Sequence, residues 1–572
     1  MTETAAPELA EALQRLGVAL DGVALPLELP EVERRRGARQ EMLGQLTDYV
    51  LPRLRQIEAP LLAVVGGSTG AGKSTLVNSV VGRRVTEPGV LRPTTRSPVL
   101  AHHPADASWF DSERIFPELA RTSAATADPR ALQLVPVDTV PRGLAVLDAP
   151  DIDSVESQNR ALASQLLAAA DLWLFVTSAA RYADQVPWDF LKAAAERSTA
   201  VAIVLDRIPP GAREEVADHL AQMLQERGLP DARLFTVEEG ALDEAGLLPA
   251  EAVSEIRGWL DGLASDSAAG AAVVRQTLDG AVAALARRAE EVADAHAAQV
   301  EMAARLRADA EQAYAQSERD VAEASADGSL LRGEVLARWQ EFVGTGELLR
   351  SLETKVGWVR DRITGWLRGK PQQAERVTVA VESGLESLLV EHAEAAAERA
   401  WRSWSSVEAG KRLRERGDRD LGRASREFRS QAERSVRDWQ QGVLEMVRTE
   451  GAEKRTTARF LAFGVNGLSV ALMIVVFAHT AGVTGAEAGI AGGSAVLGQK
   501  LLEAVFGDQA VRRLAEHART DLERRVTEVY AGARARFEAR LDELGLDPAR
   551  TDALRRAADE VGRLRLVDEA GR

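Results

Sequence analysis

The chain has no cysteine in 572 residues. That excludes disulfides, thiolate metal sites and cysteine nucleophiles, and it fits a reducing, cytosolic setting. Positive charge is in deficit too: 71 Lys and Arg stand against 87 Asp and Glu, a formal net charge of −16. A general nucleic-acid binder draws its affinity from neutralising phosphates, so no nucleic-acid partner is expected. The N-terminus, MTETAAPELAEALQRL, lacks the basic and apolar blocks of a signal peptide. The bulk of the chain is therefore expected to stay in the cytosol. No Ser-His-Asp pattern, glycosidase carboxylate pair, Leu-Ser-Gly-Gly signature or short tandem repeat is present. His102, His103 and Asp106 have no spacing that closes a metal site and read as a solvated loop.

What is present changes texture along the chain. Residues 8–57 read as helical, with Met42, Leu43, Leu46, Val50 and Leu54 at helical spacing and Pro52 marking a kink or an end. Short apolar runs follow: LLAVV (61–65), GLAVLD (143–148), DLWLFVT (171–177), VAIVLD (201–206) and RLFTV (233–237). Runs of this kind predict strands buried on both faces, and their alternation with helices predicts a mostly parallel α/β sheet. From about residue 265 the strands vanish, and Ala, Glu, Arg and Leu dominate to about 455. Long helices packed as a bundle are expected there, with Trp339, Trp401, Trp404 and Trp439 in its core. The stretch 353–371 is basic and amphipathic, and reads more readily as a bundle helix than as a lipid-lying one.

LLAVVGGSTGAGKST places Gly67, Gly72, Lys73 and Ser74 in the order G-x-x-x-x-G-K-S, after a buried strand and before a helix. That context is what a phosphate-binding loop needs. The backbone of Gly67, Ser68, Thr69, Gly70, Ala71, Gly72, Lys73, Ser74 and Thr75 would wrap the phosphates at a helix N-terminus. Lys73 would reach the β- and γ-phosphates, and Ser74 would ligate Mg²⁺. Asp148 ends a buried strand, where a carboxylate holds Mg²⁺ through water. RPTTRSP (92–98) lies between loop and strand, where a threonine can bond Mg²⁺ and sense the γ-phosphate.

The spacing from this loop to RPTTR to DAPD resembles the dynamin superfamily of large GTPases, by motif over roughly residues 60–260. The resemblance implies GTP/GDP and Mg²⁺ as ligands, with Lys73, Thr95 and Asp148 as catalytic residues and Ser74, Thr95 and Asp148 at the metal. Asp148 to Asp151 stands for its Asp-x-x-Gly, with Asp151 in place of the glycine. Thr69 and Gly70 occupy positions where well-known dynamins carry Gln and Ser. The guanine-reading Asn-Lys-x-Asp is replaced by Asp206-Arg207-Ile208-Pro209; Arg207 can stack on a base, but guanine is not secured and ATP stays open.

The run FLAFGVNGLSVALMIVVFA (460–478) holds nineteen residues without a charge. As a helix it spans roughly 28 Å, close to a hydrocarbon core of about 30 Å. Its eleven Leu, Ile, Val and Phe residues favour insertion by about 3–6 kcal/mol before the polar residues subtract. Lys454, Arg455 and Arg459 precede it and Lys500, Arg512 and Arg513 follow, so both ends are expected on the cytoplasmic side. A hairpin dipping into or twice crossing the bilayer satisfies that; a hydrophobic hairpin buried in the bundle is the alternative.

The expected plan is thus a P-loop GTPase head with a mostly parallel sheet and flanking helices, plus a long α-helical bundle stalk ending in a hydrophobic hairpin tip. Residues 1–58 would be N-terminal helices of a neck, 59–262 the head, 263–455 the stalk, 456–507 the membrane-inserting segment and 508–572 a helix returning to the bundle. The resemblance further implies a lipid bilayer as partner, at the cytoplasmic face of the cell membrane through 460–498, and assembly of heads into a homodimer or oligomer. A paralogous dynamin-like partner fits the same pattern. Such relatives constrict, tether or fuse membranes, some in cell division or septation. A nucleotide-binding scaffold with little hydrolysis is the competing class.

Overall fold

The computed structural model describes residues 5–87, 97–111, 115–116, 118–126, 128, 130–153, 157–196, 200–230, 232–326, 371–415, 421–451 and 508–564. Its contacts divide the chain into two compact units. The first comprises residues 1–25, 31–298 and 547–572, and the second 26–30 and 299–546.

The first unit is built on an eight-stranded sheet: β1 (Leu61–Gly67), β2 (Val99–His102), β3 (Ala120–Thr122), β4 (Ala131–Pro136), β5 (Leu144–Asp148), β6 (Leu172–Ser178), β7 (Ala200–Ile208) and β8 (Arg233–Glu238). Their order is β3-β4-β2-β5-β1-β6-β7-β8. Every pairing is parallel except β2 with β5, which joins two parallel blocks. β1, β5 and β6 are buried along their whole length. That explains their continuous apolar runs: each face carries its own core. Leu62, Val64, Leu147 and Phe175 pack into one, and Ala63, Val65, Val146 and Leu174 into the other. The five apolar runs are all strands. Of the three strands with no sequence signal, β2 and β3 are short, and β3 and β4 are only partly buried.

Helices α1 (Ala5–Gly22), α2 (Val32–Gln45) and α3 (Leu51–Arg55) precede the sheet. A π-turn over Leu46–Val50 separates the last two, with the Leu51 amide bonded to Leu46 O. Pro52 lies in the first turn of α3; it has no N–H to give, so the ladder is re-registered just before it. Within the sheet region lie α4 (Lys73–Val81), α5 (Ala107–Phe110), α6 (Ser157–Ala168), α7 (Gln185–Glu196), α8 (Arg213–Glu226) and α9 (Ala250–Ser265). Then come α10 (Ser267–Ala326), α11 (Pro371–Ser405), α12 (Glu408–Glu415), α13 (Arg426–Gly451), α14 (Asp508–Asp542) and α15 (Pro548–Arg563).

α15 belongs to the first unit, where it packs beside α1. Arg15 meets Glu560 through Nε at 3.1 Å and Nη2 at 2.8 Å, and Arg550 donates to Gly22 O at 2.6 Å. Asp547 caps α15 by accepting from the Ala549 amide. The sequence reading of one continuous terminal helix missed this break.

The second unit is a helical bundle whose core includes Leu306, Tyr314, Trp404, Phe428, Trp439, Tyr530 and Phe537. Trp404 meets Phe537 edge-on at 5.2 Å and donates to Leu306 O. Trp439 donates to Ala518 O, while Trp401 is half-buried beneath Arg414. Leu27 exchanges two hydrogen bonds with the Gln299 amide, which ties segment 26–30 into this bundle. Among the described residues no helix is long and apolar enough to cross a membrane. The segment 460–498, Trp339 and the stretch 353–370 lie outside the described residues.

Candidate functional site

The site is the loop between β1 and α4, at the carboxyl ends of the central strands. A Cβ on Gly67, which has φ +152°, would meet Val176 O of β6 at 2.0 Å. A Cβ on Gly72, at φ +94°, would meet Asp206 Oδ2 at 2.1 Å. Glycine at these two positions lets the loop lie against β6 and the end of β7. Gly70 is exposed, whereas Ser68 and Ala71 are buried. Thr75 sits in the first turn of α4, its carbonyl accepting from Ser79 Oγ.

Lys73 is 5% exposed; its Nζ donates to Ser68 O at 3.0 Å and is ion-paired to Asp151. Ser74 Oγ donates to Asp148 Oδ2 at 2.7 Å, and Thr86 Oγ1 donates to the same oxygen at 2.9 Å. Thr86 is held by Asn78, whose Oδ1 accepts from the Val85 and Thr86 amides and whose Nδ2 donates to Thr86 O. Asp148 is fully buried, and its Oδ1 has no hydrogen-bond partner. Burial pushes its carboxyl above the usual range, against the hydroxyls of Ser74 and Thr86 and the Lys73 ammonium.

On the other side of the loop, Asp153 Oδ1 accepts from the Thr69 amide at 2.6 Å and from Thr69 Oγ1 at 2.7 Å. Arg181 joins them: Nη1 donates to Thr69 O at 3.0 Å, and Nη2 lies 2.9 Å from Asp153 Oδ2. Burial would raise the Asp153 carboxyl, but the Thr69 donors and the Arg181 guanidinium outweigh it and hold it low. Asp206 is buried against Gly72, and its Oδ1 accepts from the Arg207 amide at 2.8 Å. Burial raises the Asp206 carboxyl, with Glu239 adding to it and Arg207 opposing. Arg207 is exposed, with φ +54°.

The structure therefore brings Gly67 to Thr75, Asp148, Asp206 and Arg207 to one place. Thr95 lies outside the described residues. Sequence reasoning missed Thr86, Asn78, Asp153 and Arg181. Only Asp153 left a trace, as the third acid of D-A-P-D-I-D (148–153). His102 is a correction: it lies in β2 at 2% exposure rather than in a solvated loop, its Nδ1 2.9 Å from His103 O. Asp106 accepts from the Gly143 amide. Among the described residues no cluster of three His, Cys, Asp or Glu is placed to hold a metal.

Residues 62–207 match the model of the dynamin family. The match takes in the loop, Asp148, Asp206 and Arg207, and it supports the dynamin superfamily, a class of GTPases, for the head. No curated protein matches. Two solved structures, both described as an oligomerised bacterial dynamin pair that provides a mechanism for long-range sensing and tethering of membranes, are similar at low scores. One is 10% identical with a TM-score of 0.42, over 92% of this chain and 94% of that one. The other is 12% identical with a TM-score of 0.28, over 97% and 83%.

Proposed function

We propose that the head binds and hydrolyses GTP and that the chain uses this cycle to remodel membranes as a dynamin-like protein. The observation that carries the nucleotide part is the glycine-rich loop with Lys73 and Ser74 beside Asp148, whose buried Oδ1 lacks a partner. A buried carboxylate oxygen left unpaired beside a serine hydroxyl is a donor set suited to a hard divalent cation. Ser74 and Asp148 would hold Mg²⁺, which neutralises charge on the transferred phosphoryl group. Lys73 binds the terminal phosphates, and loop amides orient them. Thr95 senses the γ-phosphate, and Arg207 stacks on the base beside Asp206.

The membrane part rests on the uncharged run 460–478 and its basic flanks. In this reading 460–498 enters the bilayer from the cytoplasmic face, heads pair into dimers or larger assemblies, and a related chain is a natural partner. The remodelling would be constriction, tethering or fusion, and division or septation is the process we favour over membrane fusion or repair. A second reading, a nucleotide-binding scaffold with little turnover, is favoured by the Lys73–Asp151 ion pair and by Asp206 in place of the guanine-reading asparagine.

The test is hydrolysis of GTP and of ATP by the full chain, each with and without anionic liposomes. GTP-selective turnover that rises with lipid and falls in Thr95→Ala supports the first reading. Binding without turnover under every condition moves the assignment to the scaffold. Deleting 460–498 should abolish sedimentation with liposomes, and undiminished sedimentation refutes the membrane segment.

A further inference from the structure

We propose that Asp151 is an internal competitor for the phosphate seat, a residue that sets how tightly this loop takes a nucleotide and that must move when one binds. The inference rests on the nucleotide-binding reading above and concerns this chain's departure from the Asp-x-x-Gly pattern.

The P-loop lysine carries the charge that meets the terminal phosphates. Here its ammonium is already bound, to the Asp151 carboxylate and to Ser68 O, with Lys73 at 5% and Asp151 at 7% exposure. A phosphate arriving at Lys73 would bring negative charge to within contact of a buried carboxylate. Like charges in a poorly hydrated site repel strongly, so the two anions exclude one another. Nucleotide must expel Asp151, and the free state keeps Lys73 neutralised without one.

Asp151 sits between other residues that also hold the loop. Ile152 donates its amide to Gly67 O at 3.3 Å, and Asp153 holds Thr69 by its amide and hydroxyl. Asp148, three residues back, holds Ser74. One short segment, 148–153, thus grips the loop at Ser74, Lys73, Gly67 and Thr69. Where expulsion of its middle carboxylate also shifts the backbone, the shift would carry to the grips on Ser74 and Thr69. A glycine at 151 would give the same loop no competitor and no such lever.

The experiment is calorimetric titration of GDP, GTPγS and ATPγS, with Mg²⁺, into the full-length wild type, Asp151→Asn, Asp151→Gly, Lys73→Ala and the Lys73→Ala/Asp151→Asn double variant. Both Asp151 substitutions should tighten GTPγS by about tenfold or more, the scale of one removed like-charge juxtaposition. GDP should gain less, because the γ-phosphate carries the charge nearest the carboxylate. With Lys73 absent, removing the Asp151 charge should recover only part of the lost affinity. Unchanged or weaker GTPγS binding in both Asp151 variants, with Lys73→Ala still abolishing it, overturns the proposal and leaves the nucleotide reading standing. No binding of any nucleotide by any of these proteins overturns both. Two chemically different replacements guard against a folding defect in one of them.

Discussion

The head is fastened to the helix before it by one buried charge, and removing that charge gives a sharp test of how the first unit holds together. Asp171, at 1% exposure, precedes β6. Its Oδ2 accepts from the Leu62 amide of β1 at 2.9 Å. Its Oδ1 accepts from Tyr49 Oη at 3.1 Å and lies 2.9 Å from Arg53 Nε. Arg53, at 8% exposure, also donates to Ala59 O at 3.0 Å. Its Nε and Nη2 make no well-directed hydrogen bond, so its hold on Asp171 is chiefly Coulombic. The two partners differ in what they can do when orphaned. A guanidinium cannot shed its proton, whereas burial already pushes the Asp171 carboxyl up, against Arg53, the Leu62 amide and Tyr49. Asp171→Ala therefore strands a buried cation and should cost about 3–5 kcal/mol. Hydrogen exchange of β1 and β6 amides reads this directly, as roughly hundredfold to several-thousandfold lost protection at about 1.4 kcal/mol per tenfold. Arg53→Met should cost less, because Asp171 can then be protonated. Its folded pKa lies above the unfolded value, so stability is gained as pH falls toward that value and lost as pH rises through the folded pKa. The Arg53→Met defect should thus shrink on acidification, and the Asp171→Ala defect should not. Additive single and double variants, or an Asp171→Ala protein exchanging within threefold of wild type, refute the reasoning.

Two further outcomes are expected. Gly67→Ala drives a Cβ into Val176 O, so β1 must part from β6; a stability loss of about 2–4 kcal/mol, seen as a lowered Tm, should accompany loss of nucleotide binding. His296 is buried in α10 with Nδ1 2.7 Å from Thr551 Oγ1 and Nε2 unpartnered. Burial and the nearby Arg550 hold its pKa below 6.5, against Asp547. The folded state prefers the neutral ring, so this stability is present above the unfolded pKa and is lost as pH falls through the folded one. Protection factors of α15 amides, which remove the intrinsic pH dependence of exchange, should fall on acidification in the wild type and fall less in His296→Gln; equal slopes refute the assignment.

The head was legible because buried parallel strands announce themselves. LLAVV and LWLFV are apolar throughout, since neither face meets water. Strand β2 escaped because four residues, VLAH, make too short a run, and with it went the antiparallel junction to β5. The loop was legible because its glycines answer steric demands visible in spacing alone. The grip on the loop was not, because it depends on tertiary approach: Arg181 reaches Thr69 from 112 positions away, and Thr86 reaches Asp148 from 62. The break before α15 was hidden by a helical composition on both sides; Gly545 at φ +62° and the Asp547 cap were its local signs.

The same central strands are held by side chains at both ends. At their carboxyl ends, segment 148–153 holds Ser74, Lys73 and Thr69. At their amino ends, Asp171 binds β1 to α3 through Leu62 and Arg53, and its carbonyl accepts from Thr277 Oγ1 of α10 at 2.9 Å. Thr277 Oγ1 in turn accepts from the Ala200 amide of β7 at 3.1 Å. The helices entering and leaving the sheet are thus pinned to residues that begin β6 and β7. A strand of seven residues spans roughly 23 Å. It transmits a displacement only as a stiff body, and full burial of β1 and β6 supplies the stiffness. A displacement of the loop, if carried along these strands, would meet the pinned helices at the Asp171 and Thr277 bonds.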